Sequence, residues 1–276
     1  MHTVKANGAT IPAIGLGTWK LKGTEGSELV AHALVDGYRH IDTASACENE
    51  EAVGAGLRAS GVPREQVFIT TKVWWTDIAA VDLERSAEAS LRRLGLDQVD
   101  LLLLHWPNPG IPLKESIAAL NQAKVRGLTR HIGVSNFTTD LLRQAVSLSE
   151  APLTCNQVEY HPYIDQRKVL AANRAFGVAT VSYCPLYRGR GLLEVPAIVA
   201  AAKRHSKTPG QIVLRWHVQQ KGVVPIPRTS RKERLAENAA IFDFTLSGEE
   251  MAQISALSRG QSRICNPDFS PQWDEP

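Results

Sequence analysis

Eight short apolar runs, with stretches of helical spacing between them, constrain this chain more than any other feature. The runs fall at residues 14–19, 38–43, 67–73, 99–106, 131–136, 154–159, 179–184 and 223–226. Helical patterns occupy 24–36, 49–59, 82–94, 113–126, 140–149, 167–176 and 209–221. Gly37, Gly61, Gly95, Gly127, Gly177 and Gly222 stop most of them. A run that is apolar throughout is a strand buried on both faces. Such strands alternating with helices build a parallel sheet, and eight of them close a (β/α)8 TIM barrel. The 276 residues match the roughly 250 usual for that barrel, so residues 1–276 are expected to form one domain. A doubly wound open sheet uses the same alternation and stays as the competitor. Asn7-Gly8 between two short extended runs predicts a hairpin over 3–11 that caps the barrel floor. An extra helix is expected over 196–205, and the tail from 258 to 276 has little periodicity.

Composition removes several function classes. A net charge of +3, evenly spread, gives no basic face for nucleic acid or a membrane surface. Four cysteines without a CxxC pair form neither a disulfide scaffold nor a zinc ribbon, and no metal site is expected. No apolar run approaches about 18 residues, and the start of the chain lacks the pattern of a signal peptide. A cytoplasmic monomer acting on a small molecule is the expectation.

Gly54-Ala55-Gly56-Leu57-Arg58-Ala59 matches the GxGxxG/A dinucleotide pattern, but it sits inside a helical stretch. The fingerprint needs a strand, a tight turn and then a helix, so the match is read as chance. The informative polar residues stand at strand ends, where a (β/α)8 barrel gathers its chemistry. They are Asp42, Lys72, His105, Ser135, Asn136 and Gln157, with Arg228 just past the last strand. Any one of them alone is a strand end meeting solvent. Asp, Lys and His together at one mouth are a candidate for proton and charge chemistry.

These residues lie in blocks that resemble the aldo-keto reductases. The blocks are Gly17-Thr18-Trp19, Tyr38 to Ala44, Thr70 to Trp74, Leu104-His105-Trp106-Pro107, Ile132 to Phe137, Asn156 to Glu159 and Ser182 to Leu186. The likeness covers nearly the whole chain, in order, and is greatest to the bacterial 2,5-diketo-D-gluconate reductases of the shorter B type. It implies a (β/α)8 barrel, NADPH bound without a Rossmann fold, and hydride transfer to the carbonyl of a small aldehyde, ketone or diketone. It also implies a tetrad of Asp, Tyr, Lys and His. Asp42, Lys72 and His105 stand at three of those positions.

At the fourth position stands Cys47. The family pattern has a tyrosine here, which protonates the alkoxide as it forms. A thiol has an ordinary pKa of about 8.5 against about 10 for a phenol, so acidity alone does not disqualify it. Lys72 beside it is expected to lower the thiol further and to leave a thiolate, which cannot donate. The sulfur also ends closer to the backbone than a phenol oxygen. Positioned acid catalysis is typically worth about 10²–10⁴ in rate, so weakened carbonyl reduction is expected. Two other readings stay open. One is a pocket retuned for an imine or iminium, which needs no proton from the enzyme. The other is an NADPH-binding sensor or scaffold without turnover.

The resemblance assigns the remaining site residues. Tyr183 stacks on the nicotinamide, and Ser135, Asn136 and Gln157 hold its carboxamide. Leu186 to Arg190 lie near the pyrophosphate, with Arg188 supplying charge. Arg228, Thr229, Ser230 and Arg234 form the 2′-phosphate site, which favours NADPH over NADH, and Arg234 stacks on the adenine. Glu237 and Asn238 take the adenine edge. Trp19, Trp74 and Trp106 wall the substrate pocket, and His161 is weighed between pocket and structure. A short 107–113 segment and a brief tail predict an open mouth.

Overall fold

A computed structural model describes residues 2–275. Strands β1 (Thr3–Ala6) and β2 (Ala9–Pro12) pair antiparallel, with Ala6 opposite Ala9. The two-residue turn between them needs positive φ at both positions, and Asn7 (42°) and Gly8 (87°) supply it. The Asn7 amide then donates to the carbonyls of Leu153 (2.7 Å) and Phe176 (3.0 Å). The hairpin is thereby fastened beneath the strands, as its sequence predicts.

The remaining strands are β3 (Leu16–Gly17), β4 (His40–Asp42), β5 (Phe68–Val73), β6 (Val99–Leu104), β7 (Thr129–Ser135), β8 (Leu153–Glu159), β9 (Ala179–Tyr183) and β10 (Val223–Pro225). Helices stand between them: α1 (Gly23–Val35), α2 (Glu50–Ala59), α3 (Ala80–Leu94), α4 (Leu113–Val125), α5 (Thr139–Leu148), α6 (Arg167–Ala175), α7 (Pro196–His205) and α8 (Pro209–Val218). Then α9 (Lys232–Ala239) and α10 (Gly248–Ser255) follow β10. Strands β3 to β10 pair parallel in strict chain order. A doubly wound sheet would reverse that order at its switch point. The first and last strands meet through Gly15 N–H to the Pro225 carbonyl (3.0 Å) and Gly17 N–H to the Pro227 carbonyl (3.1 Å). The sheet is therefore a closed (β/α)8 barrel.

That seam explains why β3 covers less than the expected 14–19. A Cβ on Gly17 would lie 2.8 Å from the Ile226 carbonyl oxygen, and one on Gly15 would lie 2.7 Å from the His40 ring. The backbone needs glycine there to approach. Inside the barrel, Leu101, Leu103, Cys155, Val181 and Val224 pack on Ile11 of the hairpin. The intervening Leu102 and Leu104 face outward to the helices, with Leu83, Leu120 and Ile132. This two-sided burial is what makes the strands apolar throughout.

The glycine-rich stretch at 54–59 lies within α2, as read. A Cβ on Gly54 would fall 2.1 Å from the Leu94 carbonyl oxygen, and one on Gly56 would fall 2.5 Å from that of Ser27. These glycines let α2 pack closely on its neighbours α1 and α3. Helix α10 is missing from the sequence reading, although Ser247 and Glu250 form a capping box that signals its start. No described helix is long and apolar enough to cross a membrane.

Candidate active site

The carboxyl ends of β4 and β5 bring Asp42 and Lys72 together. Lys72 Nζ donates to Asp42 Oδ1 at 2.6 Å and to the Thr43 carbonyl at 2.7 Å. Gln157 Nε2, from β8, donates to Asp42 Oδ2 at 2.7 Å. Both charged groups are buried. Burying an ion pair is costly, and it persists only where extra hydrogen bonds fill the remaining positions, as they do here. An ammonium has three N–H donors, so one on Lys72 is left for another acceptor.

Cys47 ends a short 3-10 turn, Ser45–Cys47, that follows β4. Ser45 Oγ donates to the Lys72 carbonyl at 3.0 Å, fastening the turn beside the ion pair. The thiol is half-buried, and among the described residues its sulfur has no hydrogen-bond partner. Burial pushes its pKa up, and the opposing pull of Lys72 is smaller. The expected thiolate is thus corrected: desolvation outweighs the ammonium, and Cys47 is a protonated thiol at neutral pH.

His105, just past β6, is buried against the edge of Trp74, with ring centroids 5.1 Å apart. Burial first, and Lys72 second, hold its pKa well below the usual imidazole value. It is a neutral imidazole, and its Nδ1 is buried without a partner among the described residues. Asn49, at the start of α2, belongs to this region too. Its amide donates to the carbonyls of Thr18 (2.7 Å) and Leu21 (2.9 Å) and accepts from Thr43 Oγ1 (2.8 Å).

Ser135, Asn136, Gln157 and Tyr183 meet beside the pair. The Tyr183 hydroxyl donates to Asn136 Oδ1 at 2.7 Å, and Asn136 Nδ2 donates to the His105 carbonyl at 2.9 Å. Ser135 Oγ donates to the Gln157 carbonyl at 2.8 Å. Asn136 needs a left-handed backbone (φ 63°) to reach both partners. The ring of Tyr183 is thereby fixed at the mouth.

The expectation of an open mouth is corrected. The brief tail folds back across the barrel, because Glu159 at the end of β8 accepts the backbone N–H groups of Ile264 (2.6 Å) and Cys265 (2.8 Å). Phe269 then stacks on Trp75 at 4.5 Å and meets Trp74 and Trp106 edge-on at 5.6 Å. Trp273 reaches Trp106 at 6.1 Å, and Asp274 accepts from Thr139. Nothing in the tail's local pattern signals this, although its two aromatics in an aperiodic stretch were a trace of it. His161 is structural: fully buried, with Nε2 2.9 Å from Glu159 Oε1.

Trp19 stands apart from the other tryptophans. It is 45% exposed, with Lys20 and the Arg188 guanidinium each 4.6 Å from its ring centre. Arg228 Nε donates to the Trp19 carbonyl at 3.1 Å. Arg188 flanks this rim, while Leu186 packs on the cluster of Val158, Tyr160 and Leu192. Among the described residues neither Arg188 nor Arg228 has a carboxylate partner. Thr229 Oγ1 accepts from Arg231 N–H, Ser230 is exposed, and Arg234 pairs with Glu237 at 3.2 Å at the side of α9, where Asn238 is buried. Arg188 and Arg228 thus stand as two uncompensated guanidinium groups, which suit a polyanion, whereas Arg231, Lys232 and Arg234 at the start of α9 are paired with Glu233, Glu28 and Glu237. A cavity of about 680 Å³ opens between α1 and α2, lined by Thr24, Ser45, Glu48, Asn49 and Arg93; Asp42, Lys72 and His105 do not line it.

Residues 13–259 match the profile described as the Aldo/keto reductase family. Methylglyoxal reductase DkgB of Salmonella typhi is 40% identical over 268 residues, covering 96% of this chain and 100% of that protein. Glyoxal reductase of Bacillus subtilis (strain 168) is 41% identical over 268 residues, covering 96% of each. A crystal structure provisionally named 2,5-diketo-D-gluconic acid reductase B superimposes with a TM-score of 0.97 at 46% identity, covering 99% of this chain and 98% of that one. A Bombyx mori aldo-keto reductase in complex with NADP gives 0.87 at 35% identity, covering 93% and 92%.

Proposed function

The chain belongs to the aldo/keto reductase family, and from that premise we propose that it is an NADPH-dependent reductase of small aldehydes, ketones or diketones, slowed at the proton-transfer step. The whole chain acts as one barrel domain in this reading. The observation that carries it is the buried Lys72–Asp42 pair beside neutral His105.

Tyr183, Ser135, Asn136 and Gln157 would hold the nicotinamide end of the cofactor. Leu186, Arg188, Arg228, Thr229, Ser230, Arg234, Glu237 and Asn238 would hold its phosphates and adenosine. The uncompensated guanidinium groups of Arg188 and Arg228 fit that charge. When bound, NADPH supplies the hydride.

The protein's own part is electrostatic. Asp42 holds the Lys72 ammonium in place, and its third N–H is free to meet negative charge growing on a carbonyl oxygen. Such preorganised charge in a water-poor site is the largest common contribution to catalysis. Trp74, Trp106 and Phe269 exclude water there. His105, held neutral by burial, would orient the carbonyl. The alkoxide then needs a proton. Cys47 is protonated and holds one, but its sulfur lies short of where a phenol oxygen would reach. The expected penalty is about 10²–10⁴ in rate.

The test is NADPH oxidation with methylglyoxal, glyoxal and 2,5-diketo-D-gluconate, using the purified protein beside its Cys47→Tyr variant. Slow turnover by the first and faster turnover by the second is expected. Oxidation at the buffer rate by both proteins on all three carbonyls would overturn the assignment in favour of a silent nucleotide-binding protein.

A further inference from the structure

Two cysteines distant in sequence meet outside the catalytic residues. Cys184 follows β9 directly, with φ at 51°, a left-handed conformation that strains a residue with a Cβ. Cys265 lies in the tail, and its backbone N–H is held by Glu159 at 2.8 Å. Glu159 is the sheet partner of Tyr183, the residue before Cys184. The same anchor that folds the tail back therefore sets Cys265 beside Cys184. Arg188, from the same loop as Cys184, donates through Nη2 to the Cys265 sulfur at 3.5 Å, and each thiol lies close enough to perturb the other. Both cysteines are partly open to solvent.

We propose that Cys184 and Cys265 form a reversible dithiol–disulfide site, oxidised by peroxide, that fastens the tail to the loop after β9.

The arrangement assigns the two roles. The neighbouring Cys265 lowers the Cys184 thiol, and the neighbouring Cys184, together with burial, raises that of Cys265. Arg188 adds positive charge beside the Cys184 sulfur. A thiolate next to a guanidinium is the reactive kind. The Cys184 thiolate attacks one oxygen of hydrogen peroxide; the S–O bond forms and the O–O bond breaks. The departing hydroxide takes up the proton that the Cys184 thiol released on ionising and leaves as water, and the Cys265 thiol proton serves the second. The Cys265 sulfur then attacks the sulfenic sulfur; the S–S bond forms, the S–O bond breaks, and the second water leaves. Two thiols and one peroxide give one disulfide and two waters. A dithiol reductant reverses the bond by exchange. The other cysteines lack this setting. Cys155 is buried, and burial pushes its thiol far up. Cys47 has no sulfur neighbour and is also raised.

The experiment treats the whole protein with a slight excess of hydrogen peroxide, then measures intact mass and free thiols. A loss of about 2 Da is expected, with free thiols falling from the four present to two. Peptide mapping should join Cys184 to Cys265, and dithiothreitol should restore the thiols. Cys184→Ser and Cys265→Ser should each abolish the loss. Amide exchange over 263–274 should slow about tenfold on oxidation, and not in Cys265→Ser. A bond mapping to Cys47, sulfinic acid at either residue without a bond, or unchanged exchange in the cross-linked protein would overturn the proposal.

Discussion

The carboxylate of Asp42 lies 2.6 Å from Nζ of Lys72, both groups within 5% of full burial. Removing one member strands the other. Asp42→Ala should destabilise the fold by about 3–5 kcal/mol, the usual result of leaving a buried charge unpaired. Urea unfolding measures it. A loss under about 1 kcal/mol would mean that water reaches Lys72 and the pair is not structurally closed.

Cys47→Tyr should raise kcat on a small aldehyde by about 10²–10⁴, because the lysine that acidifies a phenol is already in place. The NADPH dissociation constant should hardly change, since Tyr183, Asn136 and Gln157 make no bond to residue 47. Steady-state kinetics and a fluorescence titration separate the two effects. A faster imine reaction in the unaltered protein, lost in the variant, would favour the retuned pocket.

Arg234→Ala should weaken NADPH roughly ten- to hundredfold, the worth of a hydrogen bond to a charged group. NADH should be affected little. Parallel titrations following tryptophan quenching decide it. Equal losses for both nucleotides would remove Arg234 from the 2′-phosphate site.

Acid should destabilise the protein through its buried histidines. Burial lowers His40 and His217 to about 4 and His105 well below its ordinary value. Their folded pKa values lie below the unfolded value of about 6.5, so the unfolded chain binds more protons in between. The stability they contribute is present above pH of about 6.5 and is lost as pH falls toward the folded values. The slope is about 1.4 kcal/mol per pH unit for each such histidine. Urea midpoints from pH 7 down to pH 4, with histidine proton shifts by NMR, test the sign and the sites.

Gly54→Ala should cost about 1–3 kcal/mol by overpacking. The added Cβ meets a backbone oxygen of Leu94, which cannot swing aside as a side chain can. Nucleotide affinity should be unchanged, because this glycine packs helices. Weakened NADPH binding in a stable variant would show that the dinucleotide-like pattern has a part in binding.

The barrel was legible in the sequence because its causes are local and repeated. Burial on both faces makes each strand apolar throughout, as in β6, and helical spacing marks what lies between. Asn7-Gly8 announced the hairpin through turn chemistry. Asp42, Lys72 and His105 were legible because a parallel barrel sends every strand end to one mouth. The tertiary structure decided what depends on competing distances. Neighbouring charge alone predicts an ionised Cys47; the depth of burial, which no local pattern carries, leaves it protonated. The closed tail was invisible for a similar reason. It rests on Glu159 meeting the N–H groups of residues more than a hundred positions away, and on Phe269 filling a wall built by three tryptophans from other loops. Strand and helix follow from near neighbours in sequence, whereas the tail's fold and the state of the thiol follow from which distant groups exclude water.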